Sequence, residues 1–527
     1  MSGVISNGTD YRAVYLKHIE SCYRYHPEAF SFYDQLADYL QQRSGTGRQR
    51  STLQEVKFFE ITPLASSATY PVAFPLHRIE IHDQQHRPRV GVLEGYPDPD
   101  CIAFLGAEFA VRPEFFIEHL PMSLKRGVNA RVHELPTVPS RQDNVVRVPF
   151  SRLVKSLAPY PDSSATQTSS FMYRKRNEVE EARVNYEKGL VKYEKYGAAH
   201  IRRIIVHDRE MCSIEEMVSF AIATHGNQWC GIFLTDNGRM LMDQEGLPWT
   251  KSPRNDQLNW IVPLIPYNLL AERATRVPIS GRDDSGLSGS LDQFHPLKNI
   301  VIADEVDGQL MQEDPFFLLA SVLTVSFLSW SQTLNSIAQS IRESQDQLQV
   351  DQRTLQFQLE QLRQHFVTIS RVKECLSENE HIIAQGGCPS WPKAATNATV
   401  QRRGLIQRQL KADYARMMER CSHLISQCES ATSILVGFAQ LVVSEKGTAS
   451  AHEVNQLTRM AAIFIPLTLI TGIFGMNVRE WDPSPSWRWP FGCAIVVFCL
   501  TIFILSGHRI RRFTRLHHIP RFTRSQK

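Results

Sequence analysis

At 527 residues the chain exceeds what a single hydrophobic core usually organises, so two or more domains are expected. A formal net charge of +4 is too small to argue for a nucleic-acid partner. Ten scattered cysteines, with no CxxC pair and no Cys/His group at zinc-ligand spacing, argue for reduced thiols facing a cytosol.

The N-terminal segment, residues 1–53, opens MSGVISNGTDYRAVYLKHIE. It lacks the apolar core of a secretory signal and the Arg-rich, acid-poor character of a transit peptide, so any membrane insertion is expected to use internal segments. Residues 54–300 read as a mixed α/β domain. YPVAFPLHRIEIHD, RPRVGVLEGYP, NVVRVPF, RRIIVHDRE and QWCGIFLTDNG are compact or alternating apolar runs bounded by turn residues, and predict strands. EFFIEHL from Glu114 predicts a helix. So does SIEEMVSFAIATHG, where Ser213 and Glu216 have the spacing of a capping box. YRKRNEVEEARVNYEKGLVKYEK reads as a solvated helix with paired charges, and PYPDSSATQTSS and PISGRDDSGLSGSLDQFHP as surface loops.

Residues 301–384 read as a helical region. Its run FFLLASVLTVSFLSW, Phe316 to Trp330, is about 15 residues with several hydroxyls, short for a span and suited to a buried helix of a soluble core. Leu355, Leu359, Leu362, Phe366, Ile369 and Leu376 repeat at helical spacing, which predicts an exposed, glutamine-rich helix running antiparallel to the segment 399–456. A turn at 385–398 is marked by GGCPSWPKAATNAT. The segment 399–456 is the most regular. Leu410, Tyr414, Met417, Cys421, Leu424, Cys428, Ala431, Leu435, Phe438 and Val442 step by fours and threes, the seam of a long coiled-coil-like stalk. The phase fails at Glu445, Ala449, His452 and Gln456, just before an apolar stretch.

That stretch, 457–477, contains IFIPLTLITGIFGMN. Arg459 stands near its start, Pro466 in its middle and Thr468 and Thr471 among the aliphatics, which suits a protein-lined interior better than lipid. A short loop, 478–486, separates it from 487–507. There WPFGCAIVVFCLTIFILSG, roughly 19 residues rising about 28 Å as a helix, is long enough to span a bilayer. The tail 508–527 is rich in Arg and has no Asp or Glu. The positive-inside rule then places both termini in the cytosol and the short loop outside, with Trp481, Trp487 and Trp489 at the outer interface. Enzyme signatures are absent from the sequence: there is no GxxxxGK[ST], no HExxH and no GxSxG, so an enzyme is not expected.

Two C-terminal membrane helices, the first ending in Gly475-Met476-Asn477, behind a long stalk and an α/β domain, resemble the CorA family of divalent metal ion transporters, GMN-motif type, in a fungal-like eukaryotic form. Trp487-Arg488-Trp489 resembles the aromatic pair that opens the family's second membrane helix. The resemblance implies a funnel-shaped homopentamer whose first membrane helices line one pore. Asn477 then binds the ion through its waters, and Gly475 and Met476 form the mouth with it. Thr468 carries over as a pore-lining hydroxyl, Ile465 and Leu457 as apolar constrictions. It also implies Mg2+ as transported and regulatory ion, at a cytosolic regulatory site that cannot be placed, with no organic cofactor. The partners implied are copies of the chain, a lipid bilayer, most naturally the plasma membrane, and divalent cations. The loop departs from the family pattern: VREWDPSPSW puts Arg479, Glu480 and Asp482 where a Met-Pro-Glu element is common, which leaves ion preference open. Beside Mg2+ transport stand a Zn2+ or Co2+ transporter of the same superfamily, a non-conducting membrane-anchored coiled-coil scaffold, and a tethered enzyme, which the missing motifs disfavour.

Overall fold

The computed structural model describes residues 10–25, 30–41, 54, 56–60, 72–73, 89–120, 145–156, 168–207, 211–225, 228–238, 259–261, 301–302, 305–346 and 352–475, with 492, 495–496 and 499 beyond them. In chain order the elements are helices α1 (Tyr11–Tyr25) and α2 (Phe30–Gln41), strands β1 (Lys57–Glu60), β2 (Val72–Ala73) and β3 (Arg89–Glu94), helices α3 (Pro99–Glu108) and α4 (Pro113–His119), and strand β4 (Val145–Ser156). There follow α5 (Thr168–Lys192), β5 (Arg203–Val206), β6 (Met211–His225), β7 (Gln228–Thr235), β8 (Asn259–Ile261) and β9 (Val301–Ile302). The helical half is α6 (Glu305–Glu313), α7 (Phe316–Asp346), α8 (Gln352–Gln385) and α9 (Asn397–Gly475). The chain divides into two compact units, Met1–Leu435 and Val436–Lys527.

Among the described residues one sheet has seven strands in the order β1-β3-β7-β6-β4-β8, with β5 pairing on β6, and a second pairs β2 with β9. All pairings are antiparallel except β3 on β7. The strands expected at 87–97, 144–150, 202–210 and 228–238 are β3, β4, β5 and β7. Of the stretch 70–83, only Val72–Ala73 is described, as β2.

The helix expected from Ser213 is instead the 15-residue strand β6. It pairs with β4, β5 and β7, and Ile214 to Ala223 are buried without a break. A strand covered on both faces has no polar alternation to show, so its sequence reads like a buried helix. Ser213, free of any capping duty, lies 2.8 Å from His207 Nε2.

The N-terminal helices belong to the same core as the sheet. Tyr15 and Ile19 of α1, Leu36 and Leu40 of α2, Ile102 and Leu105 of α3 and Phe115 and Phe116 of α4 pack with Ala221, Ile232 and Leu234. Asp98 caps α3, accepting from Asp100 N at 2.8 Å, and Pro99 supplies the fixed φ of a first helical turn. A Cβ on Gly106 would lie 2.3 Å from the Tyr15 ring, so the glycine is what lets α1 approach α3.

By length and hydropathy Phe316–Gln345 could cross a membrane, yet 67% of its apolar window is buried inside the protein. Its polar groups explain the placement. Ser326 Oγ (2.6 Å) and Trp330 Nε1 (3.0 Å) both donate to the Pro149 carbonyl of β4, and Thr333 Oγ1 lies 2.8 Å from Ser151 Oγ. A proline carries no ladder donor, and its carbonyl gains two side-chain donors here. The buried-helix expectation for 316–330 therefore holds.

On α8, Leu355, Leu362, Ile369 and Leu376 are buried and Leu359 half-buried, whereas Phe366 is exposed. The glutamine face is less exposed than its composition suggests, since Gln358 and Gln361 are buried. The helix ends at Gly386 and Gly387, both at positive φ, with Gly387 N–H bonding the Ile382 carbonyl at 3.1 Å. This is the left-handed cap that glycine allows and the expected turn requires. Helix α5 carries the expected charge pairs, Arg183 with Glu180 and Glu187, but Glu187 and Leu190 are buried.

Candidate functional site

The predicted stalk is the first half of α9. Leu410, Tyr414, Met417, Cys421, Leu424, Cys428, Ala431 and Leu435 are all buried, and Phe438 and Val442 half-buried. Tyr414 OH donates to the Leu323 carbonyl of α7 at 2.9 Å, and Gln407 Nε2 to the Ile383 and Ala384 carbonyls of α8 at 2.7 and 2.9 Å. Arg402 holds Asp307 of α6 through two hydrogen bonds, 2.7 and 3.0 Å, and Arg403 pairs with Asp314 at 2.6 Å. A seam of this length fixes the helix on α7 and α8, each buried Leu contributing about 1.5–3 kcal/mol.

Beyond the seam the helix changes character. Residues 443–460 are exposed throughout, as the loss of apolar phase in the sequence predicts. Val443, Val454, Leu457, Met460, Phe464, Ile465, Leu467 and Leu469 are 39–69% exposed, yet they are large and apolar. An apolar surface of this extent on a soluble helix marks a membrane or protein contact.

Leu457, Ile465, Thr468 and Gly475 all lie within this helix. Eleven residues are about three turns and seven about two, so Leu457, Thr468 and Gly475 share one side, with Ile465 about 60° away. Ala461, Phe464 and Gly472, which sequence reasoning did not single out, fall on the same stripe at spacings of seven, four and four from Thr468. Thr468 Oγ1 donates to the Phe464 and Ile465 carbonyls, both at 2.9 Å, and Thr471 Oγ1 to those of Leu467 and Thr468, both at 3.0 Å. With its proton committed to the helix, each hydroxyl oxygen presents acceptor lone pairs. Pro466 sits inside the helix and brings no N–H for the carbonyl one turn back, at Ala462. Met476, Asn477, Glu480 and Asp482 lie outside the described residues, as does most of 487–507.

A second chemically dense cluster, not foreseen from sequence, is buried in the sheet domain. Asp236 accepts from Arg202 Nε (2.5 Å), Arg202 Nη2 (3.0 Å) and Met217 N (2.7 Å), and its carboxylate lies 3.3 Å from His200 Nδ1 and 3.5 Å from His119 Nε2. Glu187 pairs with His200 at 3.2 Å and Arg183 at 2.8 Å. Burial alone would push the Asp236 carboxyl up, but Arg202, His200 and His119 outweigh it and hold it below its ordinary value. Burial likewise lowers His200, and Asp236 and Glu187 more than restore it. Nearby, Arg152 and Glu216 form a buried pair at 2.7 Å, in which burial pushes Glu216 up to about 7 against the opposing pull of Arg152. Its members lie far apart in sequence, Asp236 being 36 residues from His200, and no local motif announces them. Every carboxylate here is matched by a cation, and among the described residues no group of three or more His, Cys, Asp or Glu could hold a metal. The cluster binds the fold together.

The arrangement defines a class: a sheet-and-helix protein with one long helix whose far end is threonine-bearing and carries exposed large apolar side chains. Residues 268–515, just under half of the chain, match the family described as CorA-like Mg2+ transporter protein. The cobalt/magnesium transport protein CorA of Thermotoga maritima is 26% identical over 101 residues, 19% of this chain and 28% of that protein, so the match spans less than a third of the relative. The solved CorA magnesium transporter of Methanocaldococcus jannaschii aligns with a TM-score of 0.38 and 12% identity, covering 86% of this chain and 97% of its own. The full-length CmaX protein aligns with a TM-score of 0.37 and 10% identity, covering 88% and 100%.

Proposed function

We propose that the chain is a CorA-type channel for divalent cations, Mg2+ foremost, formed by five copies whose segments 457–477 line a common pore. The observation that carries this reading is the uncovered apolar end of α9, with Thr468 and Thr471 set into it and Gly475-Met476-Asn477 directly following. A solitary anchor needs neither hydroxyls nor a proline in its span. Around a pore, the stripe of Leu457, Ile465 and Thr468 supplies apolar constrictions and a ring of acceptors. Helix 457–477, loop 478–486 and helix 487–507 form the membrane hairpin, and the basic tail 508–527 holds both termini in the cytosol, at the plasma membrane.

The mechanism follows from the ion. Mg2+ gives up its waters reluctantly, so a mouth that accepts hydrogen bonds from those waters admits it without stripping them. A ring of Asn477 amide oxygens does this with neutral acceptors, and Gly475 permits the turn at the helix end that presents them. Glu480 and Asp482 raise the local cation concentration outside, while Arg479 opposes them, and their balance sets the preference among divalent ions. That departure in the loop favours a second reading, in which the same pore passes Co2+ or Zn2+.

The test is divalent flux into liposomes holding the purified chain. Asn477→Ala is expected to lose most Mg2+ flux relative to the parent. Equal flux in the two removes the amide from its assigned role. No flux of Mg2+, Co2+ or Zn2+ in the parent makes the chain a scaffold.

A further inference from the structure

A separate buried titratable pair sits where the β5–β6 hairpin meets α7 and α8. His207, directly after β5, and His365, on α8, stack with ring centroids 6.0 Å apart and planes 24° from parallel. Both are 1% exposed. His207 Nε2 lies 2.8 Å from Ser213 Oγ of β6, and His365 Nε2 lies 3.0 Å from Ser340 Oγ of α7. Gln361 of α8 donates to the His207 carbonyl at 3.2 Å and to Ser340 Oγ at 2.8 Å, so one amide ties all three elements together. His207 Nδ1 is buried without a hydrogen-bond partner.

The charges around the pair are uneven. Arg176 of α5 repels a proton on either ring and is held by Glu360 of α8 at 3.7 Å. Further along the same contact, Glu215 of β6 pairs with Arg371 of α8 at 3.0 Å. From α7 come the hydroxyls of Ser340 and Ser344. Among the described residues no carboxylate bonds either imidazole.

We propose that His207 and His365 form an acid-released latch, in which proton uptake by the pair parts the β5–β6 hairpin from α7 and α8. Neutral, the rings pack as aromatics and each hydrogen-bonds a serine hydroxyl. Protonated, either ring becomes a buried cation beside a second imidazole and under the repulsion of Arg176, with no carboxylate bonded to it among the described residues. Burial, then Arg176, holds His207 down to about 4. Burial, then His207 and Arg176, hold His365 down to about 3. Both values lie below the ordinary 6.5, so the closed contact binds fewer protons than the opened one. Closure is therefore complete above about pH 6.5 and weakens as pH falls toward the folded values. At about pH 5.5 each ring favours opening about tenfold relative to about pH 7.5, and the two together about a hundredfold.

The test is hydrogen exchange of the full chain in detergent between about pH 7.5 and 5.5, corrected for intrinsic rates, in peptides covering 203–215 and 355–372. The parent is expected to lose about a hundredfold of protection in both at the acid end, His365→Gln about tenfold, and His207→Gln with His365→Gln almost none. A double variant that keeps the parent's pH response overturns the latch, as does a parent whose protection is flat with pH. Because a variant can misfold, the parent's histidine C2 hydrogen exchange is read as well. Half-points well below 6 for both rings support the proposal, and values of about 6.5 in the folded chain overturn it.

Discussion

The sheet domain and the far end of α9 treat polar and apolar groups in opposite ways. In the sheet domain charge goes inward and is matched there: Asp236, 1% exposed, is bonded or paired to Arg202, His200, His119 and the Met217 amide. At the end of α9 the polar groups are exposed hydroxyls that bond their own helix, and the side chains exposed around them are large and apolar. The first region is a completed fold that solvent can surround. The second leaves Leu457, Phe464, Ile465 and Leu469 exposed, an apolar surface of the kind that marks a contact with a membrane or another protein surface. The two should answer differently to the same kind of substitution.

The largest effect is expected where matching is densest. Asp236→Ala leaves Arg202 and His200 buried beside an emptied site and is expected to cost about 3–5 kcal/mol, read by urea denaturation in detergent. The pH dependence has a definite sign. Asp236 is held below its ordinary value of 3.8, so its contribution is complete above that pH and is lost only as pH falls below it. Loss of the parent's extra stability near neutral pH is therefore not attributable to this carboxylate.

Arg152 and Glu216 sharpen the point, because both partners are displaced in the direction burial dictates: the guanidinium is lowered and the carboxyl raised, despite their contact. The pair costs more to bury than its attraction returns. Removing one member is expected to cost about 3–5 kcal/mol, since it strands the other. Replacing both, Arg152→Met with Glu216→Leu, is expected to be neutral or stabilising by about 1–4 kcal/mol. A double variant as damaged as either single one would show that the pair supports the fold. Glu216 also gives a pH signature opposite to that of Asp236. Its contribution is complete below its ordinary 4.5 and declines as pH rises through about 7.

How far the sequence could foresee this differs between the two regions, for physical reasons. The stalk was legible because its contacts repeat along one helix, and eight of its ten seam residues are buried with the last two half-buried. Most of the strands were legible through alternation and turn residues. Strand β6 was not, because a strand buried on both faces carries no alternation, and Ser213 with Glu216 happened to imitate a cap. The buried network was invisible because Arg152, Glu187, His200 and Asp236 stand on separate strands, helices and loops far apart in sequence and meet only in the folded domain. At the candidate pore, Leu457, Ile465 and Thr468 were placed by resemblance, and the helix through Gly475 puts Leu457 and Thr468 on one side with Ile465 about 60° from Thr468. Its small positions, Ala461 and Gly472, say little until the stripe is drawn.

A milder break falls on α7. Trp330→Phe keeps most of the buried ring but removes the indole donor to the Pro149 carbonyl, which Ser326 still serves. The expected cost is about 0.5–1.5 kcal/mol, the worth of one hydrogen bond whose acceptor keeps another partner. A loss above about 3 kcal/mol would mean that the ring itself is the anchor of α7 on β4.

The smallest effect on folding is expected from the residues with the largest proposed effect on transport. Leu457 is 69% and Ile465 65% exposed, so truncating either removes little contact made within the chain. Leu457→Ala and Ile465→Ala are each expected to shift the denaturation of the detergent-solubilised chain by less than about 0.5 kcal/mol. In liposomes, if the proposed pore is right, the same substitutions would widen an apolar constriction and are expected to change the rate of divalent flux, since hydrophobic narrowings gate by excluding water. Folding energy unchanged with flux altered is the signature of side chains whose contacts lie outside their own chain. Altered folding with unchanged flux would return both residues to ordinary helix packing and dissolve the contrast between the two regions.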